Sequence, residues 1–359
     1  MKIAFLSFYS GEMFRGVETY VHELVNGLVA LGHDVTVFQN GPAVKDAKYK
    51  LVSISLPVDW KRPGGKFRFY TDYWATLVGK FTKAALKKIE SGTDVVVATN
   101  GGWQSFFCRL WTWHHGVKLV IPGQSGPGID DRVNLWCFPD RFIVPTSYAS
   151  LWAKKVNPFV KTVTIPNGVD TAIFKAQGEK VNLQLSHPII LCVAALVPLK
   201  RLQLAIKAVS GLDKGSLVLV GRGELKEELQ KMGDALLPGR FQILEAAHKD
   251  IHKIYRSADL FTFPTSPWES FGIVMLEAMA TNLPIVASDD PIRREIVGDA
   301  GIFVDPTDTP AYTKALENAL SHKWGNIPRK QSEKFSWDDV AKKYETLFQE
   351  LVPRRNNEG

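Results

Sequence analysis

The chain has 359 residues, more than one typical domain holds and enough for two, and its 45% hydrophobic content lets each half bury a core. The net charge of +7 is local: residues 60–88 carry eight Lys and Arg against one acid, Asp72, so the rest is neutral overall and nothing points to nucleic acid. Three cysteines without paired or metal-like spacing, Cys108, Cys137 and Cys192, read as packing residues in a reducing compartment, and no apolar run is long enough to span a bilayer.

Lys2 to Phe8 is a buried-strand run with no signal-peptide pattern, so a cytoplasmic protein is expected. A loop with Gly11 and Gly16 follows. Apolar residues then recur at Val17, Val21, Leu24, Val25, Leu28 and Leu31, which is helical spacing, before a strand at Val35 to Phe38. Strand, glycine loop, helix, strand is the start of a doubly wound parallel sheet. The loop lacks both the G-x-G-x-x-G fingerprint and a P-loop lysine, so no dinucleotide cofactor or ATPase is indicated. Gly16, opening the helix, is a candidate phosphate contact, although a glycine there is more often a turn.

Trp60 to Tyr70 interleaves Lys61, Arg62, Lys66 and Arg68 with aromatics in a loop. That suits an anionic lipid headgroup layer; an anionic soluble acceptor is the competing reading. The helix after it places Trp74, Leu77, Val78, Phe81, Ala85 and Ile89 on one face and Lys80, Lys83 and Lys87 on another. By itself this fits a core helix with a solvated face better than a membrane helix. Asp94 to Ala98 and Leu119 to Ile121 are strands. Their C-terminal ends, at Asn100 and at Gln124–Ser125, lie where such sheets bind ligands. His114 and His115 read as an ordinary helix C-terminus. Asn167–Gly168 is a strong turn former, and the chain crosses there to a second domain. The expected domains are residues 1–167 and 168–335, then a terminal helix over 336–352 and a disordered tail over 353–359.

The second half repeats the architecture. Ile189 to Ala195 is a strand, Leu202 to Val209 a helix and Leu217 to Val220 a strand, with Gly221 to Glu224 a ligand-facing loop. Leu260 to Phe263 fits a short buried strand. Pro264 and Pro267 then forbid regular structure, and a helix starts near Phe271 or Gly272. Gly272 lets a ligand approach the backbone, and the first-turn amides of Phe271, Ile273 and Val274 favour a phosphate. Glu269 and Glu277 flank that cluster. A pyrophosphate between them leaves one carboxylate for each of its substituents, a ribose and a sugar, since a carboxylate accepts from neighbouring hydroxyls. The bland alternative is an acidic turn at the start of an ordinary helix.

Glu269, seven residues, Glu277, then Ala278–Met279 and Leu283 to Ser288 resemble glycosyltransferase family 4, retaining enzymes of GT-B fold, and the resemblance covers Met1 to about Leu351. It implies an α/β GT-B architecture: two doubly wound Rossmann-like parallel-sheet domains facing a cleft, an acceptor domain first and a nucleotide-sugar domain second, with the last helix returning to the first domain. It implies a nucleotide-diphosphate sugar (UDP or GDP type) as donor. The acceptor is a hydroxyl on a glycan, a lipid-linked glycan or glycolipid, or a small molecule. No cofactor is needed, and no metal, since no Asp-x-Asp ends a strand.

The roles it implies are Glu269 holding the donor sugar, Glu277 the ribose, and Lys200 the leaving diphosphate. Relatives carry a Gly-Arg pair where this chain has Ala194–Ala195, and Arg201 is the candidate substitute for that Arg. Gly16 and Gly221 complete the donor side. The family's paired glycine is here Arg15–Gly16. Gln124 or Gly123 stands where many relatives have a His, leaving Asn100, Gln124 and Ser125 for the acceptor or sugar side. A non-catalytic nucleotide-sugar-binding subunit and a GT-B epimerase are the alternatives.

Overall fold

The computed structural model describes residues 1–12, 16–42, 46–60, 62, 71–247 and 250–352. Arg15, Lys61, Lys66, Arg68 and the tail 353–359 lie outside the described residues. The chain divides into two compact units: Met1–Asn167 together with the stretch that begins at Trp337, and Gly168–Ser336.

In the first unit, among the described residues, seven parallel strands form one sheet. They are β1 (Lys2–Leu6), β2 (Asp34–Gln39), β3 (Lys50–Ser53), β4 (Val95–Ala98), β5 (Lys118–Pro122), β6 (Arg141–Val144) and β7 (Thr162–Thr164), in the order β3-β2-β1-β4-β5-β6-β7. The helices are α1 (Gly16–Ala30), α2 (Tyr73–Leu86), α3 (Trp103–His115), α4 (Ile129–Trp136) and α5 (Ser147–Val156). Strand alternation sorts them into layers. Ile3 and Phe5 of β1 join the core under α1, while Ala4 and Leu6 join the core under α2 to α5. The apolar face of α2 is buried in that second core through Leu77, Val78, Phe81 and Ala85. Arg62 stacks its guanidinium 4.8 Å from the Tyr73 ring centre at the start of α2.

The second unit holds, among the described residues, a six-stranded parallel sheet in the order β10-β9-β8-β11-β12-β13. Its strands are β8 (Ile189–Val193), β9 (Ser216–Val220), β10 (Phe241–Leu244), β11 (Leu260–Phe263), β12 (Ile285–Ser288) and β13 (Gly301–Val304). Its helices are α6 (Leu202–Ser210), α7 (Lys226–Leu236), α8 (Ile251–Tyr255), α9 (Ile273–Ala280), α10 (Pro291–Val297), α11 (Thr309–Ser321) and α12 (Ile327–Ser332). The last helix, α13 (Trp337–Leu351), packs on α1 of the first unit, where Tyr20 and Tyr344 share a buried 2.7 Å hydrogen bond. Both expected doubly wound parallel-sheet domains are thus present. Among the strands that the sequence reading does not name are the two edge strands β3 and β10. Each has four residues, β3 exposed at both ends and half-buried between, β10 half-buried at three of four, so the pattern is too short and too mixed to stand out.

Candidate active site

The site in the second unit is assembled on the connection from β11 to α9. Gly272 caps α9 at φ 92°, with no side chain bonded to the first-turn amides. A Cβ there would lie 2.9 Å from the Phe263 ring, so glycine is required by both backbone and space. The amides of Ile273 and Val274, in the first helical turn, have no intrahelical partner and point out along the positive end of the helix. Phe271 is itself buried against Phe335, so only its backbone can meet a ligand.

Glu269 forms an ion pair with Lys200, and both side chains are largely buried. The Glu269 backbone is fixed from behind: the fully buried Arg293 donates to its carbonyl at 2.8 Å and to Asp290 at 2.8 Å, and Asp290 caps α10. Arg201, the candidate second diphosphate cation, bonds to the backbone of the β11–α9 connection. Its Nε donates to the Pro264 carbonyl at 2.9 Å, and its Nη2 donates to the Thr265 carbonyl and, at 3.3 Å, to Ser288 Oγ. The guanidinium therefore stitches the Pro264–Thr265 turn, which leads to Glu269, to the end of β12. Gly221 lies across from the end of β8: a Cβ there would come within 1.9 Å of the Ala194 carbonyl, so the loop that leads to Lys200 closes against bare backbone.

Glu277, one turn inside α9, is buried and accepts a 2.7 Å hydrogen bond from the Tyr255 hydroxyl at the end of α8. Burial pushes its carboxyl up to about 7, and the Tyr255 bond opposes that rise. Sequence reasoning passed over Tyr255, Asp290, Arg293 and Ser288. The Asp290–Pro291 pair was a readable cap signal, and a tyrosine buried at a helix end carries a polar tip needing a partner.

In the first unit the residues assigned to strand ends lie where expected, and their side chains are engaged. Asn100 Oδ1 accepts from the Phe8 amide at 2.6 Å and from Gln104 at 3.3 Å. Gln124 and Asn167 exchange amide hydrogen bonds of 3.1 Å, tying β5 to the inter-domain turn. Ser125 and Gly16 are exposed. Among the described residues no group of three His, Cys, Asp or Glu side chains converges as a metal would require.

Residues 14–173 match the profile of Glycosyltransferase Family 4, and residues 174–336 that of Glycosyl transferases group 1. The chain belongs to glycosyltransferase family 4. An uncharacterized glycosyltransferase of Methanocaldococcus jannaschii is 29% identical to it over 214 residues, 53% of this chain and 54% of that protein, so the match spans only about half of the relative's length. A GDP-mannose-dependent alpha-(1-6)-phosphatidylinositol monomannoside mannosyltransferase of Mycolicibacterium smegmatis is 29% identical over 347 residues, 85% of this chain and 86% of the relative. Among solved structures, Anabaena HepE in complex with UDP and glucose aligns with a TM-score of 0.75 over 98% of this chain and 100% of that one, at 17% identity, a likeness of fold.

Proposed function

We propose that this chain moves a sugar from a nucleotide-diphosphate sugar to a hydroxyl acceptor, with retention at the anomeric carbon and without a metal. The observation that carries this reading is Glu269 and Glu277 on either side of the uncapped first turn of α9, with Lys200 paired to Glu269. The ribose hydroxyls bind Glu277, the diphosphate meets the amides of Phe271 to Val274 and Lys200, and the sugar hydroxyls bind Glu269. A single donor molecule then offers each member of the Lys200–Glu269 pair a new partner: phosphate for the ammonium, hydroxyl donors for the carboxylate. Gly16 on the donor side and Asn100, Gln124 and Ser125 on the acceptor side rest on their places at a helix start and at strand ends.

In the reacting complex the bond from the anomeric carbon to the phosphate oxygen breaks, and negative charge builds on the diphosphate. Lys200 and the helix-end amides stabilise that charge without reorganising. The acceptor oxygen bonds to the same face of the sugar, and its proton passes to the departing phosphate oxygen. The mannosyltransferase relative, named for GDP-mannose and a phosphatidylinositol mannoside, supports a lipid-borne acceptor, and with it a peripheral place on the cytoplasmic side of an anionic membrane. No helix among the described residues is long and apolar enough to cross a membrane.

The test is a thermal-shift panel of UDP, GDP and their sugars, followed by transfer assays with glycan and glycolipid acceptors. A true donor at about 100 times its Kd stabilises the protein by about 2.7 kcal/mol. Failure of every nucleotide sugar to stabilise the chain would refute the reading. An inverted product would remove the retention claim. Loss of transfer in excess chelator, restored by a divalent ion, would remove metal independence.

A further inference from the structure

Helix α3 is built inside out. It buries Gln104, Ser105, Cys108, Arg109 and Thr112, four of them polar. It exposes Phe106, Leu110 and Trp113, which follow i, i+4, i+7 spacing along one stripe and are 43%, 47% and 59% accessible. Helix α4 repeats the inversion in part, burying Asp131 and Asn134 beside Leu135 while Ile129 and Trp136 stand 65% and 53% accessible. The inward polar groups bond to one another, although the buried Arg109 Nε has no hydrogen-bond partner. Ser105 Oγ donates to Asn134 Oδ1 at 2.8 Å, Asn134 Nδ2 to Asp131 Oδ1 at 3.1 Å, and Arg109 to Asp140 at 2.8 Å. The polar network belongs to the fold; the stripe meets it where Trp113 stacks on the Arg109 guanidinium, 4.5 Å from the ring centre, and still presents its apolar surface to solvent. An ordinary surface helix does the reverse, and a clustered exposed apolar face marks an interaction site.

The charge beside the stripe selects the partner. Helix α2 adjoins α3 in the same layer and turns Lys80, Lys83 and Lys87 to solvent. Lys83 Nζ lies 4.4 Å from the ring centre of the half-buried Phe107, whose ring in turn meets that of Phe106 at 5.6 Å, which joins the lysine row to the stripe. Residues 71–167 hold eleven Lys and Arg against six acids. Of those acids, Asp131 is buried and Asp140 is bonded to Arg109. Protein interfaces are depleted in lysine, whereas an anionic bilayer takes aromatic and aliphatic side chains at its headgroup level with lysines around them.

We propose that the outward faces of α3 and α4, bordered by the α2 lysines, dock this glycosyltransferase on an anionic bilayer, with Phe106, Leu110 and Trp113 entering the headgroup–acyl boundary. This rests on the reading of a lipid-borne acceptor and names its surface in described residues, none of them in the 61–68 stretch. The stripe supplies insertion and the lysines supply selectivity for anionic lipid.

The test is co-sedimentation of the full chain with vesicles of phosphatidylglycerol mixed with phosphatidylcholine, and with phosphatidylcholine alone. Wild type should bind the anionic vesicles at low salt and lose most of that binding at high salt. The triple change Phe106→Ser, Leu110→Ser, Trp113→Ser should weaken partition on the order of 100-fold. Lys80→Ser, Lys83→Ser and Lys87→Ser together should weaken it about as much, at about fivefold per lysine, while weak binding to neutral vesicles persists. Absence of vesicle binding by wild type, or binding that neither triple variant alters, overturns the proposal. So does a wild-type dimer in sedimentation velocity that the apolar triple variant dissociates without any vesicle binding, which would assign the face to a second copy of this chain. Nucleotide-sugar stabilisation is measured on the same variants. Its retention shows that they are folded, and its absence from wild type that binds vesicles would defeat the donor reading alone.

Discussion

Glu277 is a carboxyl poised near neutrality, and Tyr255 decides on which side it falls. Its folded pKa of about 7 lies above the ordinary value of about 4.3, so protonation stabilises the ligand-free fold. That contribution is complete below about pH 4.3 and gone once pH has risen through about 7. Ribose hydroxyls donate to a carboxylate, so binding pulls the other way, and nucleotide-diphosphate affinity should rise as pH passes through about 7. Tyr255→Phe removes a hydrogen bond to a charged group, worth about 1.5–3 kcal/mol, and should move the midpoint of that profile to higher pH. Glu277→Gln should flatten it. Calorimetry with the bare nucleoside diphosphate across the pH range checks both, and a midpoint unmoved in Tyr255→Phe would reduce Tyr255 to a packing residue. The same titration separates the glutamates: Glu277→Ala should weaken the bare nucleotide by about 1.5–3 kcal/mol, whereas Glu269→Ala should leave it nearly intact while transfer falls. Equal losses would defeat the assignment. The Glu269–Glu277 spacing was legible because it is local, and Lys200, 69 residues from Glu269, was singled out by the family resemblance. The Tyr255 contact was not, because it joins positions 22 residues apart through packing.

At the scale of elements, the start of α9 was readable from two prolines, a glycine and a run of helix formers, and the structure places it at Ile273. The loop from β5 to α4 was readable only as a strand end. Asp131 organises it, accepting from the Ser125 and Gly126 amides and from Asn134, and burial pushes its carboxyl up to about 7. The sign follows as for Glu277. The folded value exceeds the ordinary value of about 3.9, so the stabilising proton is fully present below about pH 3.9 and lost as pH rises through about 7. Asp131→Asn carries no such titration. Melting curves across pH should therefore show wild type losing stability relative to Asp131→Asn as pH rises through about 7. A constant difference would mean that the carboxyl is ionised throughout. The same buried network explains why α3 misleads a periodicity argument. A stripe at 3.6-residue spacing identifies a helix, but which side faces inward depends on what the neighbouring helix offers.

At the scale of the molecule, each unit closes its sheet between helical layers, and the first unit is finished by a helix from the far end of the chain. Phe348 of α13 is fully buried in the core that contains Tyr20, Leu24 and Val97. Phe348→Ala should cost about 3–5 kcal/mol in urea unfolding, while stabilisation by the nucleotide persists, since the proposed donor residues of the β11–α9 connection lie in the second unit. Loss of the nucleotide effect in a folded Phe348→Ala protein would show that the donor site depends on the first unit. The doubly wound class, the cross-over at Asn167–Gly168 and the Glu269–Glu277 pair were determined by the sequence alone, because periodicity, turn chemistry and short spacings are local properties. Only the tertiary structure decided that Arg201 faces carbonyls, that Arg293 holds the Glu269 backbone and that α3 turns its aromatics outward, because each depends on a partner brought near by packing rather than by chain distance.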